Sequence, residues 1–245
     1  MTPTIVLVHG AWSDTSAWAP VLRRLHSLGY PVLAHPCPLR SLAGDAVHLQ
    51  QRLETIDGPL VLVGHSYGAG VVANAVTDDP DVQALVFVNG LVPTEGETIT
   101  ELVGHDSIYS ADAADRALDI VPRHHRRRWD SDCYLPERTF VDTFASGLRR
   151  AHRQVLWAAQ RPISLGALDE VSAMPASDRL PSWFLIGTED RVLPPETQEA
   201  MAARAGGTVV HHRAGHLGHL ADPDAVVRVV TAAVTETGPV RSEWA

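Results

Sequence analysis

Cysteine is scarce in this chain of 245 residues: Cys37 and Cys133 stand alone and far apart. Two such residues make no disulfide framework, and neither has neighbours at metal-ligand spacing, so two buried thiols are expected. Positive charge is in short supply as well, with 20 Lys and Arg against 29 Asp and Glu, a formal charge of −9. A general nucleic-acid binder carries a basic face, so no nucleic-acid partner is expected; an acidic surface mainly serves solubility. Long apolar runs are missing too. None approaches the ~20 residues that span a bilayer, which argues against a membrane partner. The opening Met1-Thr2-Pro3-Thr4 leads straight into a strand-like run, without the basic segment, apolar core and cleavage site of a leader. A cytoplasmic location is therefore the expectation. Internal repeats and low-complexity stretches are not found, and nothing in the sequence speaks to oligomeric state.

What is present suits one well-cored domain: 45% apolar and 20% charged residues at a length that α/β domains often reach undivided. Ile5-Val6-Leu7-Val8 is a continuous run of the kind found in strands buried on both faces. Trp18, Val21, Leu22, Leu25 and Leu28 follow at helical spacing, with Gly29 placed to end the helix. Val32-Leu33-Ala34 reads as a second strand, Leu42 to Ile56 as an amphipathic helix, and Asp57-Gly58-Pro59 as a break. Leu60 to Val63, a small-residue helix from Ala69 to Val76, and Ala84 to Val88 continue the rhythm. It resumes with Trp183 to Ile186, a helix near Thr197–Arg204, a strand Thr208–His211, and a last helix from about Asp222. Such alternation implies right-handed crossovers and a mostly parallel sheet flanked by helices. Between Pro93 and Leu180 the rhythm is lost. The expected organisation is a core of residues 1–93 and 181–245, with residues 94–180 inserted as a helical cap over the strand ends. Gly238 to Ala245 reads as a frayed tail.

Gly64-His65-Ser66-Tyr67-Gly68 follows a buried strand and precedes a helix, the context in which G-x-S-x-G marks a nucleophile elbow. A serine in an ordinary tight turn is the bland alternative, and the strand and helix on either side argue against it. A hydroxyl needs a base to take its proton during attack, and in this arrangement the acid and then the histidine follow the serine along the chain. After the late strand, Gly187-Thr188-Glu189-Asp190 offers two carboxylates. Asp190 is assigned the histidine-orienting role, and Glu189 is read as a solvated loop charge. His211, His212, His216 and His219 are candidates for the base. His211 and His212 lie at a strand end and read as edge or surface residues. His216, preceded by Ala214-Gly215 in a loop, is assigned as the base, with His219 as a neighbouring pocket histidine. The spacing His212-x-x-x-His216 would suit two metal ligands on a helix, but the preceding strand and the glycine oppose a helix there, so no metal is expected. The developing oxyanion needs donors, assigned to the backbone N–H groups of Tyr67 and of Ala11 in the loop Val8-His9-Gly10-Ala11-Trp12.

These motifs resemble a known family. Leu7 to Trp12 with Ser16-Ala17-Trp18, the elbow Gly64–Gly68, Gly187-Thr188-Glu189-Asp190 and Ala214-Gly215-His216 look like compact α/β-hydrolases. They are most similar to plant methylesterases and hydroxynitrile lyases with their bacterial carboxylesterase and pyrethroid-hydrolase-like relatives. The similarity covers about residues 4–93 and 181–235. Gln160 to Ser164 and Ile186 to Pro195 look like the bacterial members in particular. The resemblance implies an α/β-hydrolase fold, the triad Ser66, Asp190 and His216, oxyanion donors Ala11 and Tyr67, and no cofactor. Lyase members place a lysine directly after the catalytic histidine, where this chain has Leu217, and tend to a hydroxyl residue in the first loop, where it has Gly10. Both departures favour hydrolysis.

The expected reaction is cleavage of a small to medium apolar or aromatic carboxylic ester, a small-molecule partner, through an acyl-enzyme on Ser66. Trp12, Phe144, Trp157, Leu217 and His219 are the candidate pocket residues, with Trp129 and Tyr134 as further cap aromatics. A lactonase or cyclase using the same triad, or a non-hydrolytic receptor that retains it, stays open at this stage. The basic run Arg123–Arg128 reads as a solvated helix face rather than a site for an acidic substrate group.

Overall fold

The computed structural model describes residues 1–76, 81–103, 118–123, 131–173 and 175–237. The expectations for Trp129, for residues 124–128 and for the tail 238–245 lie outside the described residues.

Six parallel strands form the main sheet: β1 (Thr4–Val8), β2 (Val32–His35), β3 (Leu60–His65), β4 (Val82–Val88), β8 (Ser182–Gly187) and β9 (Thr208–His212), in the spatial order β2-β1-β3-β4-β8-β9. Alternate residues of the central strands feed two cores. Val6, Val8, Leu60, Leu62, Leu85, Phe87, Phe184 and Ile186 join one, together with α2 (Leu42–Leu53) and α3 (Tyr67–Ala75). Ile5, Leu7, Val61, Val63, Ala84, Val86, Trp183 and Leu185 join the other, with α1 (Ala19–Ser27) and the last helix, Pro223–Thr237. Burial on both faces is why these strands are continuous apolar runs rather than alternating ones. Gly29 and Gly58 take φ of +83° and +87° where the first two helices give way to strands, a region that glycine enters at little cost.

The chain steps outward from β1 to β2 and then returns to lay β3 on the other side of β1. Crevices at such a reversal, beyond the carboxyl ends of the strands, are where open α/β sheets place their sites.

The segment between β4 and β8 carries helices, as the expected cap does, and adds strands to them. It contains a small antiparallel sheet, β5 (Asp119–Pro122), β6 (Ser131–Tyr134) and β7 (Ile163–Ser164), beside α4 (Ile99–Val103), a turn at Glu137–Thr139, a π-turn at Phe140–Phe144 and a helix at Arg150–Ala158. These strands are too short to show a period in the sequence, and they owe their place to tertiary anchors. Arg40 donates to the Asp132 carboxylate and to the Pro162 carbonyl. Ser164 N–H donates to the Leu39 carbonyl, and Trp12 Nε1 donates to the Cys133 carbonyl at 2.9 Å. Cys37 and Cys133 are both buried. Among the described residues no helix is long and apolar enough to cross a membrane.

Candidate active site

Ser66 occupies the turn between β3 and α3 with φ 51° and ψ −125°, a conformation that costs a non-glycine residue about 1–3 kcal/mol. The surroundings hold it there. Its N–H donates to the Val88 carbonyl, and its own carbonyl accepts from Ala69 and Leu91 N–H. The flanking glycines make the turn possible by close approach: a Cβ on Gly64 would lie 2.5 Å from Ala69 Cα, and one on Gly68 would lie 2.6 Å from the Val8 and His9 carbonyls.

Loops after β8 and β9 bring the partners in. Ser66 Oγ donates to His216 Nε2 at 2.9 Å, and His216 Nδ1 donates to Asp190 Oδ2 at 2.9 Å. Both ends of the imidazole are thereby committed, which fixes the tautomer that accepts a proton at Nε2. Asp190 is held in turn by Val192 and Leu193 N–H on Oδ1 and by Gln198 Nε2 on Oδ2. The His216 and Asp190 side chains have no solvent exposure, and Ser66 retains 1%. Glu189 points outward and pairs with Arg213. His211 is exposed and pairs with Glu199. His212, expected at the surface, is instead buried: the last residue of β9 turns inward, against Gly218 and 3.9 Å from Asp222.

The loop after β1 presses onto the nucleophile, since a Cβ on Gly10 would lie 2.8 Å from Ser66 Cβ. The loop then turns through Trp12 at φ 54°. Ala11 follows Gly10 in this loop, and Tyr67 opens α3 directly after Ser66. His9 secures this loop by donating from Nδ1 to the Gly10 carbonyl and accepting Cys37 N–H at Nε2; burial lowers its pKa to about 4. Tyr67 is tethered through its hydroxyl to Asp45 Oδ2 at 2.8 Å. Burial, and then the Asp45 charge, push that phenol well above its ordinary value, and burial raises the Asp45 carboxyl.

Of the pocket candidates, Trp12, Phe144 and Leu217 come together around a cavity of about 30 Å³ that Phe140, Leu156 and Leu220 help line. Phe144 stands edge-on to Trp12 at 5.5 Å and tilts over the His216 ring at 5.2 Å. Trp157 and His219 do not line this cavity. Trp157 is half-buried against the core on the neighbouring helical face. His219 packs against His65 at 4.2 Å and Trp18 at 4.7 Å; burial takes its pKa to about 3. Among the described residues no group of three or more His, Cys, Asp or Glu is placed to hold a metal ion.

Asp45, His65, Asn89 and Gln198 are further buried polar residues at the site, and the sequence signals them weakly. Asn89-Gly90 directly after a buried strand is a turn signal, and was the available pointer to one of them.

A family model described as the alpha/beta hydrolase family matches residues 5–229. The chain belongs to that family. Its fold superposes on a variant of polyneuridine aldehyde esterase with a TM-score of 0.82 at 17% identity, covering 95% of this chain and 99% of the other. A Paenibacillus extracellular α/β-hydrolase related to tobacco salicylic acid binding protein 2 gives 0.77 at 18%, covering 95% and 98%. A pyrethroid hydrolase from Sphingobium faniae gives 0.73 at 18%, covering 96% and 98%. At such identities these likenesses speak for the fold alone. In sequence, 117 residues are 26% identical to Probable hydrolase R7 of a Phoma species, covering 42% of this chain and about half, 48%, of that protein.

Proposed function

We propose that this alpha/beta hydrolase is a serine esterase that cleaves carboxylic esters through an acyl-enzyme on Ser66. The observation that carries the proposal is the unbroken chain from Ser66 Oγ to His216 to Asp190, each link 2.9 Å long, at a strained and fully buried elbow. Its chemistry follows from the geometry. His216 Nε2 takes the hydroxyl proton as Oγ adds to the ester carbonyl, and Asp190 stabilises the imidazolium without itself taking a proton. The negative charge forms on the carbonyl oxygen, where the N–H groups of Ala11 and Tyr67 receive it. His216 returns its proton to the leaving alcohol, and water, activated by the same imidazole, then releases the acid. Trp12, Phe144 and Leu217 favour an apolar group beside the reacting carbon, in keeping with solved relatives named for action on an aldehyde ester and on pyrethroids.

A fluorophosphonate should add one label per chain, on Ser66, and Ser66→Ala should neither label nor turn over p-nitrophenyl esters. Labelling at another residue, or full turnover by Ser66→Ala, would remove the proposal. Incubation with mandelonitrile is expected to release no cyanide beyond spontaneous decay. A leaving cyanide in a poorly solvated site needs a cation nearby, and Leu217 beside His216 supplies neither charge nor donor.

A further inference from the structure

Asn89 terminates β4, and it is fully buried with φ +44°. A polar side chain that loses all contact with water must recover its hydrogen bonds within the protein. Asn89 recovers them from two different loops. Its Nδ2 donates to the Gly215 carbonyl at 3.0 Å and to the His216 carbonyl at 2.9 Å, and its Oδ1 accepts Gly187 N–H at 2.7 Å. The orientation of the amide follows from its partners. Two carbonyls can only accept and a backbone N–H can only donate, so the nitrogen must face the histidine loop and the oxygen the end of β8.

The short turn that carries Asn89 holds the remaining member of the triad as well. Ser66 N–H donates to the Val88 carbonyl, and Leu91 N–H donates to the Ser66 carbonyl. Gly187, which Asn89 binds, accepts Asp190 N–H through its own carbonyl. Residues 88–91 therefore touch the serine turn, the acid loop and the histidine loop at once, and the Asn89 side chain bonds backbone groups of the last two together. The His216 carbonyl also accepts His65 Nε2–H at 2.9 Å, so the histidine backbone is gripped from two sides.

We infer that Asn89 is a positioning residue: its amide locks the His216 loop to the Asp190 strand so that the imidazole stays in line with Ser66. The inference rests on the esterase reading above. No other residue type of similar size reproduces the pattern. Aspartate would turn an oxygen toward two carbonyl oxygens, and leucine would take away the hydrogen bonds that Asn89 makes to Gly187 N–H and the Gly215 carbonyl, leaving the His216 carbonyl to His65. Asparagine also tolerates the left-handed backbone better than other non-glycine residues.

The experiment compares wild-type protein with Asn89→Gly and Asn89→Asp, scored by circular dichroism, p-nitrophenyl ester kinetics and the rate of fluorophosphonate labelling. Glycine suits the φ and deletes the clamp. The expected result is kcat lower by about 10–100-fold, the scale of a misplacement near 1 Å, with KM within about threefold and labelling slowed in parallel. For Asn89→Asp, activity relative to wild type at the same pH should recover as pH falls, because a protonated carboxyl regains one donor toward the histidine loop. A folded Asn89→Gly with wild-type kcat, a change confined to KM, or a pH-independent Asn89→Asp ratio would overturn the inference. Failure of both variants to fold would overturn it too, since the amide would then serve the fold rather than the histidine. Absence of Ser66 labelling in the wild-type protein sinks the esterase reading instead, so the two failures are distinguishable.

Discussion

At Glu189 and Asp190, adjacent carboxylates meet opposite surroundings. Asp190 accepts from two backbone N–H groups, the Gln198 amide and His216, while Glu189 faces solvent beside Arg213. Asp190→Asn keeps the volume but cannot hold His216 in the tautomer that leaves Nε2 free, and kcat should fall by about 10³–10⁴-fold. Glu189→Gln loses only an exposed ion pair, worth less than about 1 kcal/mol, and should keep near-normal kcat. Ester kinetics on the two variants decide the matter, and the opposite ranking would shift the acid by one residue. The choice of Asp190 and His216 was legible because each lies in a short loop after an identifiable strand. Their supports were not. Gln198 looks like any polar residue of an amphipathic helix, and Asp45 like any acid in a helix's first turn, until the fold buries them.

Among the elements, the parallel strands and their helices lie where the apolar periodicities place them, within a residue or two at most ends. The β5–β7 sheet was illegible for a physical reason. Its strands are set by contacts with Leu39, Arg40 and Trp12, more than 80 residues away in sequence, and not by any pattern of their own. Those contacts tie one part of the inserted segment to the core. The helix Arg150–Ala158 has no fully buried residue, and the π-turn before it supplies Phe144 to the space above His216. Phe144 lines that apolar space together with Trp12 and Leu217, and we propose that its ring crowds a long acyl chain on its way to Ser66. Phe144→Leu trims the obstructing ring while keeping most of the buried apolar area. The ratio of kcat/KM for p-nitrophenyl octanoate to that for the acetate should rise several-fold. An unchanged ratio would place the acyl path elsewhere.

Over the whole molecule, the packing that builds the site also sets an acid limit on the fold. Burial is the largest cause holding His9 and His35 at about 4 and His219 at about 3, and it holds His65 well below the ordinary imidazole value. In the unfolded chain these imidazoles titrate near 6.5. Between about pH 6.5 and 4 the unfolded state therefore binds more protons than the folded one, so stability rises with pH across that window and is lost on acidification. Asp45 works in the opposite sense, since burial raises its carboxyl, but it is one group against these four histidines and His212, whose value burial also lowers. Asp14 and Glu97, whose values are lowered, lose their contribution only at lower pH, within and below the carboxylate range. The net expectation is a thermal midpoint that is flat above about pH 7 and falls by on the order of 10 °C by about pH 5, as several kcal/mol would produce in a domain of this size. Thermal scans across that range in a single salt concentration provide the measurement. Because the same cluster packs His65 against His216 and His219, acid loss of activity should combine a reversible step with unfolding, and refolding at neutral pH before assay separates them. A midpoint that stays constant between about pH 7 and 5 would show that the folded protein accepts protons on these histidines, and that their burial leaves them within reach of water.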